Sequence, residues 1–249
     1  MNRKASLLYA FALVMSCVLC LPTGAQQLTR VKFADGSGTI GIASGWHITS
    51  SGNGAVAANG PHGSAIMLGI TVPCVTRDVA SQFPDTPSDQ LFPGSPRVDF
   101  GDAARAAVDI IQYTVRHSSV SIKNLVFKAI ERGELPNGHA AFIRYSATMN
   151  GKNVEVFGLY EILPVNQTSG MFYYSAVVSG KDFYASQLPT MMKMWQSWSL
   201  SDSTIKKRLQ DAANALGDVD VKGTSDSIAA QRRRVAEKAA HDFQQYLRQ

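Results

Sequence analysis

Between residues 39 and 72, apolar and polar positions alternate in short runs separated by turn-forming residues, which is the spacing of β-strands. Strands are predicted over residues 39–43, 45–49, 55–58 and 65–72. The cluster at 50–54 and the run Asn59, Gly60, Pro61, His62, Gly63 supply the turns of an antiparallel meander. The alternation then stops. Pro73, Pro84, Pro87, Pro93 and Pro96 interrupt residues 73–100, and proline breaks a helix and cannot donate in a central strand. An irregular segment this long is expected to be a binding loop or a mobile one.

The period changes near Asp102. Ala104, Ala107, Val108, Ile111 and Val115 recur at helical spacing, with Arg105, Asp109, Gln112 and Arg116 on the polar side. Four more strands are predicted over 125–131, 140–148, 154–163 and 171–179, and Asn150-Gly151 marks a hairpin between two of them. Arg144, Ser146 and Thr148 alternate with Ile143, Tyr145 and Ala147, so one sheet face is wetter than the other. A second helix opens near Asp182, with a stripe of Tyr184, Leu188, Met191, Trp195 and Trp198. Pro189 suits a first turn, so regular helix is expected from about Leu188. After residue 201 the chain becomes rich in Ala, Asp and Arg. It reads as two helices split at 217–223, the second with Ile228, Val235, Ala239, Phe243 and Tyr246 aligned.

The N-terminus changes the picture most. Arg3 and Lys4 precede an apolar run over residues 7–21, and Pro22, Thr23, Gly24 and Ala25 follow it, the pattern of a secretory signal peptide cleaved near Ala25. The run is shorter than the roughly 20 apolar residues a spanning helix needs. Leu19 before Cys20 argues against lipidation there. Cutting before Cys17 would leave an apolar terminus, so a lipoprotein is not expected. The expected organisation is a signal peptide at 1–25, an α/β domain at 26–201 and a helical tail at 202–249. Cleavage removes two of the three cysteines and lowers the net charge from +5 to +3. The remaining cysteine, Cys74, has no partner for an intramolecular disulfide, and the mild charge gives no nucleic-acid signature.

The order meander, helix, four antiparallel strands, helix resembles the PsbP-like fold, as do Gly45-Trp46, the turn Gly60-Pro61-His62-Gly63 and the closing Ser197-Trp198. That family includes the extrinsic photosystem protein PsbP and the Ran-binding Mog proteins. Over about residues 28–200 the resemblance implies an α+β fold, an antiparallel sheet flanked by helices in an α/β/α sandwich. It also implies a non-catalytic accessory or binding role, with no catalytic residues to carry over. The tail lies outside the pattern.

Candidate chemistry is sparse. Cys74 follows Pro73 at a strand end, but a thiolate needs a base or cation to lower its pKa, and neither His47 nor His62 is tied to it by sequence. His47, His62, His117, His139 and His241 form no metal-ligand spacing. Met191, Met192 and Met194 read as core packing. There is no GxSxG elbow, Walker loop or GxGxxG. Glu131 and Glu134 flank a turn and read as solvated. Arg232, Arg233 and Arg234 point about 100° apart on a helix, which puts Arg232 beside the apolar stripe and makes no single basic face. The loop's Phe83, Leu91, Phe92 and Arg97 are the expected partner-binding residues.

The sequence therefore points to an exported, non-catalytic binding or accessory module acting in the cell envelope or outside the cell. Its expected partner is a protein or small ligand, with neither cofactor, metal nor nucleic acid, and no membrane span in the mature chain. Two alternatives stand beside it. One is a secreted hydrolase or thiol enzyme using Cys74, and the other is a structural envelope component that oligomerises through its helical tail.

Overall fold

The alternating segments build two antiparallel sheets. The computed structural model describes residues 27–86, 91–135 and 137–208. The expected signal peptide, Pro87, His241, Arg232 to Arg234 and the greater part of the expected tail lie outside those residues. Strands β1 (Leu28–Lys32), β2 (Gly38–Ala43) and β11 (Ser199–Leu200) make the small sheet. The large sheet has the order β3 (His47–Gly52), β4 (Ala55–Asn59), β5 (Ala65–Thr76), β10 (Ser169–Gly180), β9 (Lys152–Pro164), β8 (Gly138–Met149), β7 (Ile122–Leu135). Between β5 and β7 come the single turn α1 (Val79–Gln82), the short β6 (Arg97–Val98) and helix α2 (Ala103–His117). Helix α3 (Tyr184–Ser197) follows β10. Strand β6 pairs with the end of β5 in parallel, and every other ladder is antiparallel.

Each face of the large sheet has its own core. Helix α2 lies over β7, β8 and β9, where Ala103, Ala106, Ala107 and Ile110 meet Ile143, Tyr145, Val156, Tyr160, Ile162 and Phe172. Helix α3 packs on β2, β5 and β10, where Leu188, Met191 and Met194 meet Ile40, Val56, Ile66, Leu68 and Val177. Neighbouring strand residues such as Ala176 and Val177 belong to different cores, as the two-residue period of a strand requires. The molecule is thus an α+β sandwich with a helix on each side. A side chain such as Phe172 or Ile162, fully buried, contributes about 1.5–3 kcal/mol.

Three local features depart from expectation. Strand β5 runs through Pro73 to Thr76. Strand β4 stops pairing at Leu68, so beyond that point β5 has β10 on one side, and the missing proline N–H costs no ladder bond. Helix α3 starts at Tyr184 and passes through Pro189. The carbonyl that loses its donor belongs to Ala185, which is exposed to water. In helix α2 the buried side is centred on Ala103, Ala106 and Ile110, which turns Asp109 inward and leaves Val115 exposed.

A β-bulge where β5 crosses β10 joins the halves of the large sheet. Gly69 sits there at φ +69°, and its N–H donates to the Ser175 hydroxyl at 2.9 Å. A Cβ on it would lie 2.7 Å from the Trp198 ring. Residues 202–208 form a helical turn against this region, with Arg208 donating from Nε to the Asn53 carbonyl at 2.9 Å.

Candidate functional site

The segment between β5 and α2 is held at several points rather than left irregular. At its ends, the Val75 N–H donates to the Pro96 carbonyl at 3.0 Å and the Arg77 N–H donates to the Val98 carbonyl at 2.9 Å. Val79 and Val98 are fully buried. Within the segment, Gln82 donates to the Gln167 carbonyl at 2.9 Å and accepts from the Thr168 hydroxyl at 2.8 Å, which ties α1 to the β9–β10 turn. The Tyr113 hydroxyl of α2 donates to the Gly94 carbonyl at 2.6 Å.

The strongest anchor is ionic. Arg77 donates from Nε to Asp109 Oδ2 at 3.0 Å and from Nη2 to Oδ1 at 2.5 Å, the two-point geometry of a guanidinium on a carboxylate. The Asp99 N–H also donates to Asp109 Oδ2, at 3.0 Å. Asp109 is 7% exposed, and its carboxylate raises the pKa of Arg77 above the ordinary arginine value through these hydrogen bonds. Arg105 approaches Asp99 to 3.5 Å at the rim. One buried carboxylate on a helix thereby fixes both the departing and the returning ends of the excursion.

This frame displays Phe83 and Phe92. They are 38% and 39% exposed, with ring centroids 6.3 Å apart in an edge-to-face arrangement. Phe92 takes φ +50°, an unusual conformation for a large side chain, and the Ser95 N–H closes a turn on its carbonyl at 3.1 Å. Of the four residues expected to meet a partner, the structure brings these two together at the surface. Leu91 is turned inward at 8% exposure and acts as an anchor. Arg97 is half-buried on β6, beside Val75 of β5.

The other candidates are placed plainly. Cys74 is buried on the α2 side, and burial pushes its thiol up to about 12, so it is protonated at neutral pH and is a poor nucleophile. His62 stacks on Phe183 at 4.0 Å, His117 bonds the Tyr113 carbonyl at 2.9 Å, and His139 pairs with Glu134 at 2.7 Å. His47 is exposed. Met191, Met192 and Met194 are buried in the α3 core. Among the described residues no group of three His, Cys, Asp or Glu is placed to hold a metal ion, and no helix is long and apolar enough to cross a membrane.

Sequence reasoning passed over Arg77 and Asp99 and set Asp109 on the polar side of its helix, where the structure buries it. The available signal was a lone aspartate among Ala106, Ala107 and Ile110, set by the helix period on the flank of the buried side.

No protein-family profile matches the chain. No curated protein matches it either. Among solved structures it is similar to the cyanobacterial PsbP of Synechocystis sp. PCC 6803, with 13% identity, TM-score 0.37, and 73% of this chain covering 97% of that one. It is also similar to LpqN, involved in cell envelope biogenesis of Mycobacterium tuberculosis (11% identity, TM-score 0.35, 70% and 91% covered). The Saccharomyces cerevisiae Ran-binding protein Mog1p is a third (10% identity, TM-score 0.34, 72% and 98% covered). PsbP and Mog proteins, whose element order the sequence resembles, are thus among the structures to which this chain is similar. No residue's role is transferred from them.

Proposed function

We propose that the protein is an exported, non-catalytic binding or accessory module that acts in the cell envelope or outside the cell. It engages a protein or small ligand through Phe83 and Phe92. The observation that carries this reading is the exposed aromatic pair held on an excursion that is itself tied to β5, α2 and the β9–β10 turn. Aromatic side chains offer large contact area at low entropic cost, and a pinned backbone has little left to order on association. The N-terminal segment over residues 1–25 supplies the argument for export.

The reading is tested by the pair Phe83→Ser with Phe92→Asn, since asparagine tolerates positive φ. Both residues lie at the surface, so the unfolding free energy is expected to stay within about 0.5 kcal/mol of the parent. Retention of an envelope or extracellular partner in pull-downs is expected to be lost. Unchanged retention by the doubly substituted protein would sink the proposal.

A further inference from the structure

The β3–β4 hairpin closes on Asn53-Gly54, with Gly52 paired to Ala55 and both turn residues at positive φ, +49° and +77°. A two-residue turn of this kind leaves its central peptide outside the ladder, so the Asn53 carbonyl and the Gly54 N–H need partners from elsewhere. The N–H donates to the Ser37 hydroxyl at 2.8 Å, which ties the hairpin to the small sheet. The carbonyl accepts from Arg208, at 2.9 Å from Nε and a second time from Nη2. Nη2 also donates to the Gly69 carbonyl at 3.3 Å. One guanidinium thereby joins the tip of the hairpin to the β-bulge where β5 crosses β10. Trp198 spans the same gap, with its ring against Gly69 and its Nε1 donating to the Gly54 carbonyl at 3.2 Å.

Arg208 ends the helical turn 202–208, whose start is set locally. Ser201 caps it, since its hydroxyl accepts from the Thr204 N–H at 3.2 Å, and its own N–H donates to the Ser37 carbonyl at 2.9 Å. Leu200 and Thr204 come down on Gly54 so closely that a Cβ there would lie 2.7 Å from Leu200 Cδ2 and 3.0 Å from the Thr204 methyl. Within the turn Thr204 is buried and Ile205 half-buried, whereas Asp202, Ser203, Lys206 and Lys207 are exposed. A segment held by so little apolar burial belongs to the low-stability end of a fold.

We propose that residues 202–208 are a strap that is released as a unit, with Arg208 as its catch. Fastened, the strap locks the β3–β4 hairpin to the β5–β10 bulge. Released, it frees the Asn53 and Gly69 carbonyls together while the core under α2 stays closed. Whatever engages the freed hairpin favours the open strap, and the open strap favours that engagement equally. The strap is independent of the aromatic pair on the excursion.

Residue-resolved hydrogen exchange on the full chain tests it. The reporters are the Gly54, Gly69 and Ile205 amides, and the reference is the Ala106 amide of α2, which donates to the Asp102 carbonyl. In the parent, the three reporters are expected to share one opening constant, at least about tenfold larger than that of Ala106. Arg208→Ala is expected to raise all three by a further factor of about ten and to leave Ala106 unchanged. The proposal is overturned if Gly54 and Gly69 keep their parent rates in Arg208→Ala. Ile205 speeding up by itself overturns it too, because the turn then frays without holding the hairpin or the bulge. Loss of Ala106 protection together with the reporters, in the parent or in the variant, also overturns it, since strap and core would then open as one unit.

Discussion

Replacing Arg77 with alanine takes two hydrogen bonds away from a carboxylate that is 7% exposed. The Coulombic gain of the pair is modest, because the arginine side chain is 47% exposed. The larger effect is the desolvation left on Asp109, and a loss of about 1–3 kcal/mol is expected in urea unfolding. An unmoved midpoint would show that the ion pair does not hold the excursion. Cys74 gives a second residue-scale prediction. Its thiol titrates near 12 in the folded protein against 9.0 for the free group, so alkylation at neutral pH should proceed at the rate of unfolding. Above about pH 9 the unfolded chain sheds this proton first, so Cys74 lowers stability as pH rises. Cys74→Ala should remove that part of the alkaline loss.

At the scale of elements, the turn between β1 and β2 joins the two sheets. Asp35 accepts from the Ser37 N–H at 3.0 Å, from the Ser37 hydroxyl at 2.6 Å and from the Asn53 N–H at 2.5 Å, and the Ser37 hydroxyl accepts from the Gly54 N–H at 2.8 Å. These bonds, those of Ser37 first, lower the Asp35 pKa from 3.8 to about 2. A depressed acid stabilises the fold above its unfolded value, so the contribution is complete above about pH 4 and is lost as pH falls toward 2. Asp35→Asn is expected to flatten the acid limb of a pH–stability curve over that window, and an identical limb would refute the assignment. Most strands were legible in the sequence because two-residue alternation and turn residues are local signals. The edge elements β1 and β11 were not, since each is short and exists through its pairing with β2. Helix α2 was legible as a helix, but its buried side was not. Val108 and Val115 drew the expected stripe toward themselves by their hydropathy. Small residues such as Ala103 and Ala106 pack more closely against the sheet without standing out in that measure.

At the scale of the molecule, the candidate site was half legible. Phe83 and Phe92 stood out as apolar residues among prolines, whereas the contacts that hold them span long stretches of sequence, from Arg77 to Asp109 and from Gln82 to Thr168. Such contacts leave no local pattern. They also decide how the site is tested: removing residues 77–98 would delete Val79 and Val98, two fully buried core residues, and would damage the fold along with any contact surface. Point changes at the aromatic pair separate the two effects. Strand β7 carries a different consequence. It is a 14-residue border of the large sheet, paired among the described strands with β8 alone, and such borders are where β-proteins join edge to edge into fibrils. Two interruptions of register, between Lys123 and Val126 and between Phe127 and Ala129, together with Lys128, Glu131, Arg132 and Glu134, spoil it as a template for another copy. The irregularities of β7 therefore guard solubility, and smoothing them would trade a tidier ladder for aggregation.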